Sequence, residues 1–432
     1  MAGGGIGARV LYGSPLRTRR GGRLFTLAMF LLLTLALLGH LSLLLGDIGS
    51  AAPVFFAGIG VCAVWCVPAV LVLWRLDRRE RESPWLLAGS LLWGAVIATG
   101  TAGVLNSLAG AGLMLYLVSS GLIDTQDVRR LREGAEPESL REVLGLLLSA
   151  LAVPVLVAPL VEESVKGLAV LFLLWLLRAE FDDVRDGIVY GALVGLGFSI
   201  TEYGLYLARQ AMESGAPLTF DLLVLRQPFF GLNNHLLWTA LTGAGLGLAR
   251  QTARLPVRLL APPAFFALAV TGHALQNSLG VLIAGVLSDA LGYSPQTAGT
   301  LPGVLAAWLS SAVANLVPQA VPIGLLIGML IASARWEIGV IRQYLVDEVG
   351  GGPRAAVTPQ EYVLVSADRP FRTRRLPPYH GQRERAIVNA QNELAFRKWH
   401  LDREGGDAGL DPLVVAWRQD IADLRAAGPP GL

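Results

Sequence analysis

The chain of 432 residues is 53% apolar and only 16% charged, with a formal net charge of +2. Soluble domains carry about 25% charged residues, and here the charges crowd the first 23 residues, a few loops and everything after Arg335. A soluble protein would have to bury several uncharged stretches at once, each near the ~20 residues that cross a hydrocarbon core, so that class is excluded. Two cysteines cannot build a disulfide framework or a zinc ribbon, and no repeat, heptad array or nucleic-acid motif is present.

The chain opens on an arginine-rich arm, residues 1–23, followed by the apolar run Leu24–Gly46. That run exceeds the about 7–15 residues of a signal-peptide core, so it reads as an uncleaved first helix. Spans are then predicted at 24–46, 52–74, 84–106, 143–177, 187–208, 229–249, 259–287 and 304–334. Cys62 and Cys66 stand at i,i+4 in the second and read as small buried side chains. The uncharged stretch Ser83–Ile123 has room for one span plus a Gly-rich re-entrant piece (Gly103, Gly110, Gly112), or for two spans. Pro154 and Pro159 free backbone groups and predict a kink in the fourth span.

Arginines set the orientation. The N-terminal arm, the loop with Arg75, Arg78, Arg79 and Arg81, and the loop with Arg250, Arg254 and Arg258 all fall inside if there are about eight spans. The loop 119–142, with four arginines against six acids, then falls outside and argues mildly the other way, though acids count for little in this rule; both termini are expected to be cytoplasmic. Beyond the transmembrane core, 24–335, residues 336–432 form a soluble cytoplasmic tail with Gly350, Gly351, Gly352 and Pro353 as linker. In it "RERAIVNAQNELAFRKWHLDRE" and "DPLVVAWRQDIADLRAA" predict a solvated helical hairpin. The fold class expected is an all-α polytopic membrane bundle with a small helical tail.

Ionisable groups at bilayer depth cost ~2.5–3.5 kcal/mol each, so they persist mainly where function needs them. The spans hold His40, Glu162, Glu163, Lys166, Glu202, His235 and His273, with the amides Asn233, Asn234, Gln276 and Asn277. His40 stands alone and reads as a neutral ring bonded to a neighbour. The others fall in four successive spans. In "LVEESVKGL" Lys166 lies i,i+4 from Glu162 and i,i+3 from Glu163, so it can reach either carboxylate. The two carboxylates outnumber that cation, which suits one of them to act as a general base. Glycines 187, 191, 195 and 197 give the next span a smooth face for close helix approach, and Glu202 lies beyond it. His235 has Thr239 one turn later, and His273 and Asn277 share a face at i,i+4. Such a set suits a hydrolytic site; a proton- or ion-coupled transporter, or a scaffold binding membrane peptides, would use the same residue types.

Four motifs occur in order: Glu-Glu-x-x-Lys at 162–166, Phe-x-x-x-Glu at 198–202, His235 with "WTALTGAGLG" downstream, and His-x-x-x-Asn at 273–277. With "FDDVRDGIVYGALVGLGF" between them and "DRRERESPWLLAGSLLWGA" upstream, the region of about residues 50–345 resembles the PrsW family of intramembrane proteases, within the wider CAAX- and bacteriocin-processing peptidases. The resemblance implies that Glu162 is the general base for water, oriented by Glu163 and Lys166. Glu202, His235 and His273 complete the polar shell, Asn277 holds the oxyanion, and Phe198 and Tyr203 support the second motif. Tyr203 departs from the family, which usually has Asn there, and a role needing an amide is in doubt. The resemblance also implies a bacterial cytoplasmic membrane, a membrane-protein substrate such as a membrane-anchored anti-sigma factor, and a metallopeptidase class. If zinc is used, Glu202, His235 and His273 on three helices are the expected ligands with water in the fourth place; equally, Glu162 activates water unaided.

Overall fold

The computed structural model describes residues 14, 16, 18–76, 83–177, 181–214, 220–352, 355–372 and 374–426. Most of the arginine-rich arm, the arginines at 78, 79 and 81, and Pro353 of the expected linker lie outside the described residues. Every regular element described is helical, as lipid requires when each backbone polar group must be satisfied within its own segment.

In chain order the helices are α1 (Arg19–Ser42), α2 (Ala52–Trp65), α3 (Val67–Leu76), α4 (Pro84–Leu92), α5 (Thr99–Ser119), α6 (Thr125–Arg132), α7 (Leu140–Leu151) and α8 (Ala158–Leu176). There follow α9 (Val184–Ser214), α10 (Phe220–Arg226), α11 (His235–Gln251), α12 (Leu255–Leu275), α13 (Val281–Ala290) and α14 (Leu301–Leu345). The tail adds α15 (Pro359–Ser366), α16 (Gly381–Glu404) and α17 (Pro412–Ala426). Short π-helical segments join α4 to α5 (Trp93–Ala98), α7 to α8 (Ala152–Val157) and α12 to α13 (Gln276–Gly280).

Among the described residues six helical runs are long and apolar enough to cross a membrane: Arg19–Gly46, Pro84–Ser119, Leu140–Leu176, Val184–Glu213, Leu255–Ala290 and Leu301–Glu348. The pair Gly49–Trp65 and Val67–Leu76, bent by 47°, makes a seventh. Pro68 explains the bend, because it has no N–H to continue the ladder. The span expected at 229–249 is only the 17-residue helix α11. It starts at His235 because Phe230, Gly231 and Asn234 hold positive φ of 55°, 85° and 51°, which breaks the helix. The Ser83–Ile123 stretch is one helical run of 36 residues, Pro84–Ser119, with no re-entrant piece; Gly103, Gly110 and Gly112 sit inside it. The expected kink near Pro154 is the Ala152–Val157 π-segment.

The most apolar window of Val184–Glu213 is 89% buried, against 11–22% for the other five runs, so α9 is the axis on which the bundle is built. Its glycines make that possible. A Cβ at Gly187, Gly191 or Gly195 would strike the backbone of Gly243, Thr239 or His235 on α11, and one at Gly197 would strike Leu91 on α4. Helices α9 and α11 therefore run antiparallel at backbone contact, and His235 lies level with Gly195.

The tail is not a solvated hairpin. Helices α16 and α17 close over the end of α14 around Ile341, Leu345, Leu394, Phe396, Val414 and Ile421, and α14 runs unbroken through the expected boundary at residue 335.

Candidate active site

Three local devices aim the side chains. The π-segment before α8 carries Pro154, whose carbonyl accepts from Asn277 Nδ2 at 2.8 Å on the facing π-segment. Such bulges recur at functional sites because they re-aim the following turn, and here they set Glu162 and His273 towards each other. The loop before α11 is the second device. Non-glycine residues at positive φ cost about 1–3 kcal/mol each and persist only where the surroundings hold them. Trp65 Nε1 donates to Gln227 O at 2.8 Å, Trp308 Nε1 to Pro228 O at 3.0 Å, and Asn233 and Asn234 Nδ2 to Arg226 O at 3.1 and 3.2 Å. The third is the α9–α11 glycine contact, which fixes His235 beside Glu202.

The five expected ionisable residues around Lys166 meet. Lys166 Nζ donates to Glu163 Oε1 at 2.5 Å and to His235 Nδ1 at 2.8 Å, and lies 4.0 Å from Glu162 Oε2. Accepting from the ammonium leaves the His235 proton on Nε2, which faces Glu202 Oε2 at 2.9 Å. Glu163 also meets His273 Nδ1 at 3.0 Å and accepts from Thr239 Oγ1 at 3.3 Å. Both its oxygens are thus engaged inside the protein. Phe198 lies with its ring 4.4 Å from Lys166 Nζ and edge-on to His235 at 4.8 Å, and Tyr203 is buried in the adjoining core.

Glu162 differs. Its Oε1 accepts from Asn106 Nδ2 at 3.0 Å, while its Oε2, fully buried, accepts no hydrogen bond. That oxygen lies 4.0 Å from His235 Nδ1 and 4.0 Å from His273 Nε2. A cavity of about 260 Å³ opens beside it, lined by Glu162, Glu202, His235, His273, Asn277 and the opposing α10 and α14 residues.

Glu162, His235 and His273 offer one ligand atom each within 4.8 Å of one another. Two imidazole nitrogens and the Glu162 oxygen that accepts no hydrogen bond suit a divalent metal with an open position, so the residues present fit one, with the metal taking the place of Lys166 at His235 Nδ1. The geometry gathers Glu162 where the sequence reading put Glu202. Glu202 instead orients the His235 ring, and Glu163 orients His273, the carboxylate–histidine arrangement that supports ligands from behind. When bound, the metal supplies a Lewis acid and a more acidic water.

A family model described as PrsW family intramembrane metalloprotease matches residues 82–307. The chain belongs to that family. The match covers more than half of the chain and includes every site residue from Glu162 to Asn277. "Protease PrsW" of Geobacillus kaustophilus (strain HTA426) is 33% identical over 106 residues, 24% of this chain and 43% of that protein. The chain thus spans under half the length of this PrsW relative in the alignment. No solved structure matches the chain.

Several cavity residues escaped the sequence reading. Asn106 lies in an uncharged span and was passed over in favour of charged groups, though an amide at that depth carries the same signal of cost. Gln319 Nε2 donates to Asn234 Oδ1 at 2.8 Å, Asn315 Oδ1 at 3.0 Å and Gln276 Oε1 at 3.1 Å, and these polar positions inside α14 were equally visible. Tyr206 and Arg226 had no signal beyond ordinary interfacial residues. His40 is bonded within its own helix, Nδ1 to Ala36 O at 2.8 Å.

Proposed function

We propose that the chain is a peptidase that hydrolyses membrane-anchored protein substrates within the bilayer, in a bacterial cytoplasmic membrane with both termini inside, α11 making the eighth crossing antiparallel to α9, and that residues 24–335 carry the activity. One observation supports this above the rest: among the site's carboxylates, Glu162 keeps an oxygen with no hydrogen bond, facing a polar cavity. Family membership and that geometry point the same way. Water seated at the Glu162 carboxylate, whose Oε2 would hold the metal when it is bound, hands its proton to that carboxylate as its oxygen bonds to the scissile carbonyl carbon. Asn277, with one amide hydrogen committed to Pro154, turns the other to the oxygen that becomes negative. The carbon–nitrogen bond then breaks, and the proton passes from Glu162 to the leaving amine.

The chemistry also limits the substrate's form. In a regular helix the scissile carbonyl is engaged with the N–H four residues on, so the cleaved segment enters unwound. That favours substrates with a weak or broken helix near one boundary, and membrane-anchored regulators such as anti-sigma factors are the proposed class. The test is cleavage of single-span reporters co-reconstituted with the purified protein. Reporters with Gly or Pro near the boundary should be cut, and chelation should abolish cutting until Zn²⁺ is restored. Cutting that ignores the chelator would remove the metal from the proposal, and no cutting of any reporter would remove the peptidase.

A further inference from the structure

The cavity holds a cation that the hydrolytic chemistry does not use. Arg226, the last residue of α10, lines it together with Glu162 and His273. Its guanidinium lies over the Tyr206 ring, 3.4 Å from the centroid. Tyr206 Oη donates in turn to Glu202 Oε1 at 3.4 Å. Every other arginine or lysine with a cavity-side or buried role here has a carboxylate or carbonyl partner: Lys166 has Glu163, Arg185 has Glu337, Arg403 has the end of α11. Among the described residues no carboxylate pairs with Arg226.

The geometry points to Arg226 as a carboxylate-binding subsite that selects substrates with an acidic residue close to the scissile bond. Contact with Tyr206 restrains the guanidinium, and a guanidinium has the donor fork that matches a carboxylate. The restraint also means that less side-chain freedom is lost on binding. Glu162, Glu163 and Glu202 outnumber Lys166 in the cluster, so an acidic side chain is repelled there and Arg226 is the arginine in the lining that can accept it. The subsite therefore fixes which way the unwound segment lies as well as which residue it prefers. This rests on the peptidase reading for its consequence, but the binding itself does not.

Two measurements separate the two. On the Glu162→Gln background in lipid nanodiscs, an acetylated, amidated pentapeptide with central Asp should bind about tenfold or more tighter than its Asn isostere, as expected for hydrogen bonds to a charged group. Arg226→Gln should abolish that difference, Arg226→Lys should keep part of it, and Arg226→Glu should invert it towards a central Lys. In the active protein, single-span reporters with one boundary residue varied should show the same preference in kcat/KM, lost in Arg226→Gln while neutral reporters are cut as before. Equal binding of the Asp and Asn peptides overturns the subsite. Equal loss for acidic and neutral reporters in Arg226→Gln also overturns it, because that is the signature of a residue that merely holds Tyr206 and Glu202. Preserved Asp preference with no cleavage of any reporter would sink the peptidase reading and leave the subsite standing.

Discussion

Two buried polar clusters lie along α9, one at its start and one about midway, and the second faces a cavity. At the tail-side end, Asp183 Oδ1 accepts from the N–H groups of Arg185 and Asp186 at 2.7 and 3.1 Å, while Asp186 Oδ2 accepts from those of Asp182 and Asp183 at 2.8 and 3.2 Å. This reciprocal pattern is a capping box that starts α9. Asp183 Oδ2 takes the Ser333 hydroxyl at 3.0 Å, Arg185 pairs with Glu337 at 2.9 Å, and Asp182 bonds His400 of the tail. Further along, Glu162, Glu163, Lys166, Glu202, His235 and His273 are as densely charged. Charge density is therefore no mark of a site. What separates them is the surroundings: the first cluster starts a helix and docks a tail, whereas the second sets Glu162 Oε2 beside open space.

Removing one carboxylate from each cluster should break this comparison most sharply. Glu162→Gln keeps volume and hydrogen bonding, so thermal stability in detergent should hardly move, while reporter cleavage should fall by ~10²–10⁴-fold, as for a lost acid/base group. Asp183→Ala should do the reverse, with a loss of order 1 kcal/mol in stability from the missing cap and near-normal cleavage per folded molecule. Full cleavage by Glu162→Gln would place that residue among the structural groups.

A smaller effect should come from the helix contact that links the two clusters. Gly195→Ala puts a Cβ against the carbonyl of His235, so α11 must shift and His235 must leave Glu202. Overpacking of this kind costs about 1–3 kcal/mol, and cleavage should fall at least tenfold with it. A Gly195→Ala protein of normal activity would show that the α9–α11 contact does not position the histidine.

At the tail the expected change is smaller again. Arg403 Nη1 donates to Arg250 O at 2.8 Å and Gln251 O at 3.3 Å, and Nη2 to Thr252 O at 2.7 Å, closing the end of α11. Arg403→Ala strands those carbonyls, at roughly 1–3 kcal/mol for a lost charged donor. Amide exchange in α16 should rise severalfold while cleavage stays within about twofold. Unchanged exchange would mean that the tail is held by its apolar contacts alone.

Much of this was legible in the sequence, and the exceptions have physical reasons. Apolar runs fixed the spans because length against bilayer thickness is a strong constraint, and the cost of ionisation at depth singled out Glu162, Glu163, Lys166, Glu202, His235 and His273. Glu162 and Glu163 are equivalent in the sequence, and only packing reveals that Glu163 is saturated by Lys166, His273 and Thr239 while Glu162 is not. Pro68 marked the bend between α2 and α3, but the surrounding hydropathy hid it. The start of α11 at His235 depends on positive φ at Phe230 and Asn234, which neither residue type announces. Docking of the tail depends on His400 and Arg403 meeting Asp182 and the end of α11, a long-range pairing that helical periodicity does not encode.

The smallest effect concerns the tail's own response to pH, set by Asp411 at the start of α17. Burial pushes its carboxyl up, but Arg397, with Nε and Nη2 on its two oxygens at 3.1 and 2.6 Å, and the N–H groups of Val414 and Leu413 at 3.1 and 3.0 Å outweigh that and hold it below the usual carboxylate range. A group with a lowered folded pKa favours folding above its unfolded value, about 3.9 for Asp, and loses that contribution as pH falls through the folded value. The α16–α17 pair should thus keep its protection from amide exchange at neutral pH and lose part of it as pH falls below about 4. Asp411→Asn retains a helix cap but no charge for Arg397, so it should weaken protection modestly at pH 7 and flatten the acid-side loss. Because the catalytic cluster lies about midway along α9 and touches no described residue of the tail, reporter cleavage at pH 7 should be unchanged in that variant. An equal acid-side loss in Asp411→Asn and the unmodified chain would assign the tail's pH response to another carboxylate, with Glu348, paired to Lys398 at 2.9 Å and Arg418 at 2.7 Å, the next to substitute.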